Sequence, residues 1–129
     1  MATVVLVHGA WGGAHGFRHV RKLLRDAGHE VSTPSLTGIG ERRTPQPAAC
    51  FSEEVHLAQE LEIYAFTRSY IKATRSAPDD RGEAAFRRAA QRARQSPDWS
   101  YYEIDTNHMV ASNRPQETAS LLARIAEGA

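Results

Sequence analysis

The stretch that follows the first apolar run of the chain carries residues that can do chemistry. His8 precedes the glycine-rich segment Gly9–Gly13, where backbone amides can approach a ligand closely because glycine has no side chain. The run before it, Val4–Val7, is apolar and mostly β-branched, so it predicts a short strand buried on both sides. An amphipathic helix pattern comes next. A strand, an amide-rich loop and a helix in this order can hold a negatively charged oxygen.

Candidates for a base and a nucleophile lie in later loops. His108 occupies the polar loop Asp105–Asn113, and a loop histidine can act as a general base when a partner lies within hydrogen-bond reach. Most histidines in such loops are ordinary surface residues, and that alternative stays open. Ser35 and Ser112 lie on the same predicted rim and are further candidate nucleophiles.

The sequence predicts no metal or cofactor site. The first predicted helix holds a histidine pair with ligand-like spacing, His15 and His19. No carboxylate or third histidine stands at a recognisable spacing from them, so we expect no bound zinc. The single cysteine, Cys50, has no histidine signature near it and excludes an internal disulfide framework, as is typical of a cytoplasmic protein.

The composition predicts one soluble domain spanning residues 1–129. Hydrophobic residues make up 41% and charged residues 24% of the sequence, as in globular proteins. The net charge of +1 gives no reason to expect nucleic acid or an acidic membrane as a partner, and no apolar run has the length of a membrane span. We interpret the arginines between positions 87 and 94 as the solvated face of a helix.

Strand and helix patterns alternate along the chain. The predicted strands are Val4–Val7, His29–Thr33, Ser69–Thr74 and Trp99–Ile104. The predicted helices cover Phe17–Ala27, a segment from Ser52, Ala85–Ala93 and a segment from Pro115. This β-α-β-α-β-α-β-α order is typical of an α/β protein with a parallel sheet covered on both faces. Ligands bind beyond the carboxyl ends of such strands, which are the loops at 8–14, 35–43, 75–82 and 105–113.

Two segments of the chain resemble a known family. The motif Val5-Leu6-Val7-His8-Gly9-Ala10-Trp11-Gly12-Gly13, followed by Thr33–Arg42, resembles the start of bacterial α/β-hydrolases related to plant methylesterases and hydroxynitrile lyases. The part from Arg68 to Ala126 resembles the end of the same family, where Asn107-His108-Met109 comes before a helix that begins with proline. Together the two parts cover most of the chain.

The resemblance implies an oxyanion hole in the N-terminal loop. Ala10 matches the position whose backbone amide supplies half of that hole, and Gly9 and Trp11 adjoin it in the pocket. His8 is expected to brace the loop rather than to react. The other half of the hole comes, in the family, from the residue after the nucleophile.

The nucleophile of the family has no counterpart, because no Gly-x-Ser-x-Gly elbow occurs in the sequence. His108 matches the catalytic histidine, and Met109 matches the esterase branch, since the lyase branch has a lysine there. The closest alignment places Ser76 where the family has the acid that touches this histidine, with Asp79 and Asp80 shortly after it. Ser76 and His108 then form a reduced nucleophilic dyad, with Asp79 or Asp80 as the orienting acid. The alternative is that this segment is an ordinary turn.

Without the elbow strand, the resemblance implies a shortened sheet. The third predicted strand can pair with the free edge of the first, which gives a small doubly wound α/β sheet, mainly parallel, with strand order 2-1-3-4 and helices on both faces. An apolar surface that the missing portion leaves uncovered can be buried by a second copy, so we expect a homodimer.

Two functions from different classes fit these features. The first is a weak, carboxylesterase-like hydrolase of small esters, with His108 as general base and no cofactor. The second is a non-catalytic remnant of the same fold that binds a small molecule or forms a dimer. The first function requires a serine or a water molecule within reach of His108, and the second does not.

Overall fold

The computed structural model of the protein describes residues 1–9, 12–35, 67–75 and 83–128. The elements are, in order, β1 (Thr3–Val5), a 3-10 helix (Ala14–Phe17), α1 (Arg18–Asp26), β2 (Glu30–Ser32), β3 (Arg68–Ala73), α2 (Glu83–Gln95), β4 (Trp99–Ile104), α3 (Val110–Asn113) and α4 (Pro115–Ala126). The four predicted strands are therefore confirmed, within a few residues at their ends. The helix predicted from Ser52 lies outside the described residues.

The first two strands pack against helices α1 and α4. β1 and β2 pair in parallel with Val4 opposite Val31, and the Leu6 amide extends the pairing by donating to the Ser32 carbonyl at 2.9 Å. Leu6 and Val31 form one buried cluster with Val20 and Leu24 of α1, which are 0% and 1% exposed. Full burial of such a side chain stabilises the fold by about 1.5–3 kcal/mol.

A glycine in a left-handed conformation ends α1. Gly28 has φ of +87°, a left-handed conformation that costs glycine little because it has no Cβ. The Gly28 amide donates to the Arg25 carbonyl, and the His29 amide donates to the Leu24 carbonyl. This is the Schellman motif, which satisfies the last carbonyls of a helix and turns the chain into β2.

One face of β1 is exposed to solvent. Val5 and Val7 are 57% and 53% exposed, whereas Leu6 between them is buried. The prediction that this strand is buried on both sides is therefore wrong for the described structure. The physical reason is that side chains alternate along a strand, and α1 and α4 cover only the face to which Leu6 points.

The other two strands form a β-α-β unit with α2. β3 and β4 pair in parallel over six residues, from Arg68 opposite Trp99 to Ala73 opposite Ile104. The Tyr70 hydroxyl on β3 donates to the Phe86 carbonyl of α2 at 3.2 Å. α2 has two small buried side chains, Ala90 and Ala93, which let the helix approach the two strands closely.

The strand pairs among the described residues are β1 with β2 and β3 with β4. Both pairs are parallel, as predicted. The pairing of β1 with β3 that completes the order 2-1-3-4 stays a prediction. In the described ranges, no helix combines the length and the apolar character that crossing a membrane requires.

Candidate functional site

The carboxyl ends of β3 and β4 are joined by hydrogen bonds that continue past both strands. The Thr74 amide donates to the Ile104 carbonyl at 3.1 Å, and the Arg75 amide donates to the Thr106 carbonyl at 2.9 Å. These bonds carry the parallel pairing into the loops that follow. As a result, the chain leaves both strands at one edge of the sheet, where ligands bind in parallel α/β folds.

An ion pair spans the same two loops. The Arg75 guanidinium donates to both oxygens of the Asp105 carboxylate, at 2.7 Å and 2.6 Å, and the Thr74 hydroxyl donates to it at 3.2 Å. The hydrogen bonds from Arg75 lower the pKa of Asp105 below its ordinary value, against an opposing effect of desolvation. The same hydrogen bonds raise the pKa of Arg75. Arg114 adds a bond to the Asp105 carbonyl at 3.3 Å.

Two asparagines shape the loop that carries His108. The Asn107 Oδ1 atom accepts from the Met109 amide at 3.0 Å and from the Asn113 side-chain amide at 2.7 Å. The Asn113 amide also donates to the hydroxyl of Thr106, which is buried, at 3.3 Å. The Asn107 side chain thus closes a turn around His108 and ties that turn to α3.

His108 itself lies against an aromatic ring. Its imidazole stacks on Phe86 of α2, with ring centroids 4.9 Å apart and planes inclined by 19°. The side chain is otherwise exposed to solvent. Phe86 supports the imidazole by stacking, but a phenyl ring cannot accept a proton as a carboxylate can. Among the described residues, no side chain hydrogen-bonds to the His108 imidazole. An imidazole held in this way can exchange protons with water or with a bound substrate.

A hydrogen bond joins two described residues of the N-terminal loop, Gly9 and Gly12. His8 is buried, and its Nδ1 atom lies 3.0 Å from the Gly9 carbonyl oxygen. The Gly12 amide donates to the same carbonyl at 3.1 Å. A Cβ at Gly12 meets the Gly9 oxygen at 3.2 Å and the His8 Cβ at 3.3 Å, so a larger residue forces the turn to shift. This geometry fits a bracing role for His8.

The predicted site residues are only partly described. His108 and Gly9 lie in the described ranges, and Ala10, Trp11, Ser76 and Asp79 lie outside them, as does Asp80. The predicted dyad and oxyanion hole therefore remain predictions.

The two rim serines occupy different surroundings. Ser35 is buried, and its Oγ atom accepts from the Ala14 amide at the start of the 3-10 helix, at 3.4 Å. Ser112 is exposed on α3. Neither hydrogen-bonds to His108 in the described structure, so neither is a placed nucleophile there.

Sequence reasoning missed the residues that hold the strand ends together. Arg75 and Asp105 each come shortly after a predicted strand and carry opposite charges, which is a signal for contact once two strands are known to be neighbours. Phe86 lies in the predicted helix Ala85–Ala93, whose pattern gives no sign that its ring stacks on His108. No pattern in the sequence marks Asn113 as part of the candidate site.

No metal site is visible in the described part of the chain. Three histidine, cysteine or carboxylate side chains do not come together anywhere in it. His15 and His19 are exposed, and the His19 Nε2 atom accepts a hydrogen bond from Arg18 at 3.0 Å.

One comparison with known proteins relates part of the chain to an esterase. Over 42 residues the chain is 55% identical to a carbendazim hydrolyzing esterase from Nocardioides sp. (strain SG-4G). The match covers 33% of this chain and 17% of that esterase. No protein-family model and no solved structure matches the chain. A segment of this protein is thus similar to an esterase, and the wider resemblance to α/β-hydrolases stays a prediction.

Proposed function

We propose that the protein is a weak hydrolase of small carboxylic esters and that His108 acts as its general base. The observation that carries the proposal is the 55% identity to an esterase over 42 residues. The placement of His108 at the carboxyl end of β4, beside the end of β3, supports it. We further propose that the enzyme works in the cytoplasm and needs no cofactor.

In the proposed reaction, His108 removes a proton from the attacking oxygen. That oxygen, from Ser76 or from water, forms a bond to the carbonyl carbon of the ester, and the carbonyl oxygen becomes an oxyanion. Backbone amides of the Gly9–Gly13 segment, above all that of Ala10, stabilise the oxyanion. The oxyanion then collapses, the bond from the carbonyl carbon to the alcohol oxygen breaks, and the alcohol leaves with the proton that His108 returns. Where Ser76 is the nucleophile, the acyl group stays on its oxygen until a water molecule, deprotonated by His108, attacks it and releases the carboxylic acid. Because one oxyanion donor alone is worth about 10²–10³ in rate, a site with half a hole suits activated esters and slow turnover.

The hydrogen bonds beyond β3 and β4 favour Ser76 as the nucleophile. The Arg75 amide is bonded to the Thr106 carbonyl, Ser76 is the residue after Arg75, and His108 is the second residue after Thr106. Successive Cα atoms are about 3.8 Å apart, so this hydrogen bond limits how far along the chain a residue after Arg75 can lie from the His108 loop. We propose that Ser76 and His108 meet, with Asp79 as the acid that orients the imidazole.

Hydrolysis of p-nitrophenyl acetate by the purified protein tests the proposal. We expect His108→Ala to lose most of the activity and Ser76→Ala to lose a comparable part, with a smaller loss for Asp79→Asn. Exposed histidines hydrolyse this ester slowly by themselves, so His19→Ala, which removes an exposed histidine on α1, is the matched control. Equal rates for His108→Ala and His19→Ala contradict the proposed base. Loss in His108→Ala without loss in Ser76→Ala identifies water as the nucleophile. Carbendazim serves as a second substrate because the similar esterase is named for hydrolysing it.

The exposed face of β1 favours the second candidate function, a dimeric remnant without chemistry. Val5, the last residue of β1, and Val7, two residues later, are both more than half exposed. Contiguous apolar surface of this kind is costly in water and is commonly buried by a partner. We propose that a second copy covers this apolar surface.

Multi-angle light scattering tests the proposed dimer. We expect a dimer that Val7→Lys converts to a monomer, whereas Lys22→Ala on α1 leaves the dimer intact. A monomer at all concentrations contradicts the dimer, whatever the outcome of the esterase assay.

A further inference from the structure

Helix α2 presents a second polar surface that the proposed ester chemistry does not use. Arg88, Gln91, Arg92 and Gln95 line a surface depression of about 390 Å³. Their spacing of three and four residues places all four on one face of the helix. All four are exposed to solvent.

This face carries positive charge without an acidic partner among the described residues. The sequence from Ala84 to Pro97 contains four arginines and no aspartate or glutamate. The ion pairs between described residues join Lys22 to Asp26 and Arg75 to Asp105. Neither Arg88 nor Arg92 forms an ion pair or a ring contact in that part of the chain.

Other arginines of the described structure are held by aromatic rings. Their guanidinium groups lie 5.7–5.9 Å from ring centroids, in the pairs Arg68 with Trp99, Arg94 with Tyr101 and Arg124 with Tyr102. A guanidinium above a ring is already stabilised by the electrons of the ring face. Arg88 and Arg92 are different, because they line the depression, are exposed, and do not lie over a ring among the described residues.

The donor set fits a phosphate group. A guanidinium binds an oxyanion through two parallel N–H bonds, and a glutamine amide supplies a further neutral donor. One helical turn advances about 5.4 Å, so arginines four residues apart can both reach a single tetrahedral oxyanion. The whole chain has a net charge of only +1, which gives little long-range attraction to a nucleic-acid polymer. We propose that this face of α2 binds the phosphate group of a small soluble molecule.

Titration of the ¹⁵N-labelled full chain with inorganic phosphate tests the proposal by NMR. At about 0.1 M salt, where charges farther apart than about 10 Å are screened, we expect saturable shifts of the Gln91 and Gln95 side-chain amides. A phosphomonoester such as glycerol phosphate, run in parallel, shows whether an organic group adds affinity. Shifts that grow linearly without saturating, or that also appear with matched sodium chloride, overturn the proposal.

Variants test whether phosphate binding depends on Arg88 and Arg92 themselves or only on positive charge. The double change Arg88→Gln with Arg92→Gln is expected to weaken phosphate binding about tenfold or more, because both charged donors are lost. The control Arg18→Gln with Arg124→Gln removes the same charge elsewhere and is expected to leave binding within about twofold. Arg92→Lys keeps the charge but loses the planar fork, so weaker binding in this variant supports the site even where the double variant unfolds. An equal loss in the control contradicts the proposal, as does tighter binding of a single-stranded oligonucleotide than of the phosphomonoester.

Discussion

The Arg75 guanidinium and the Asp105 carboxylate join the ends of two parallel strands through a pair of hydrogen bonds at 2.7 Å and 2.6 Å. The two residues lie 30 positions apart in the sequence, one after β3 and the other after β4. Their contact joins the two chain segments directly beyond the paired strands. His108 lies three residues after Asp105, so this contact is close to the candidate site along the chain.

Replacing the Asp105 carboxylate is expected to remove a contribution to protein stability that depends on pH. The pKa of Asp105 is lower in the folded protein than its ordinary value of 3.8, so the ionised carboxylate adds to stability at neutral pH, by a small amount because both partners are mostly exposed. This contribution is complete above the ordinary pKa and is lost as pH falls through the lower, native pKa. Asp105→Asn should therefore lower the melting temperature at pH 7, and the difference from the parent should shrink below pH 3.8.

An exposed ion pair elsewhere provides the control for that experiment. Lys22 and Asp26 lie one turn apart on α1, and pairs of this kind contribute little to stability. We expect Asp26→Asn to change the melting temperature at pH 7 less than Asp105→Asn does. A larger effect of Asp26→Asn contradicts a special role for the Arg75–Asp105 pair.

Two identical substitutions are expected to differ because of burial alone. Val20→Ala removes two methyl groups from a fully buried side chain of α1 and leaves a cavity, so the free energy of unfolding should fall by about 1.5–3 kcal/mol. Val7→Ala removes the same groups from a side chain that is 53% exposed and should change it by less than about 0.5 kcal/mol. Urea unfolding at low protein concentration measures both, with any dimer dissociated. Equal effects contradict the described core.

The stacking of His108 on Phe86 has a spectroscopic consequence. Imidazole protons near the face of a phenyl ring resonate upfield of those in an exposed histidine. With the ring centroids 4.9 Å apart, Phe86→Leu should move the His108 signals downfield while keeping the position apolar. The signals of His15 and His19 in the same spectra serve as the internal control. Unchanged His108 signals show that the rings do not stack in solution.

The loop around His108 should depend on one side-chain oxygen. Asn107→Ala removes the acceptor for the Met109 amide, and the loss of about 1 kcal/mol corresponds to roughly fivefold faster hydrogen exchange at that amide. Asn107→Asp keeps an oxygen acceptor at the same position and should exchange almost as the parent does. Similar exchange in the two variants indicates that the turn is held by other contacts.

Local signals were enough to predict most of the secondary structure. β4 has the predicted bounds Trp99–Ile104, and α4 begins at the predicted Pro115. Proline fits the first turn of a helix, and Gly28 fits the left-handed residue that ends one, so these boundaries follow from backbone chemistry alone. The buried residues of α1, Val20 and Leu24, lie four residues apart on one face of the helix, as in an amphipathic pattern.

The sequence by itself therefore determined the order of the four strands and of helices α1, α2 and α4, and the similarity of one segment to an esterase, whereas α3 lies in the segment predicted as a loop. These properties depend on residues that are neighbours in the chain. Only the tertiary structure decided that Val5 and Val7 face solvent, that Asp105 meets Arg75 and that Phe86 supports His108. Each of these contacts or exposures depends on which elements dock and in what register. Such choices are made by the free energy of the whole packed chain, so no local pattern contains them.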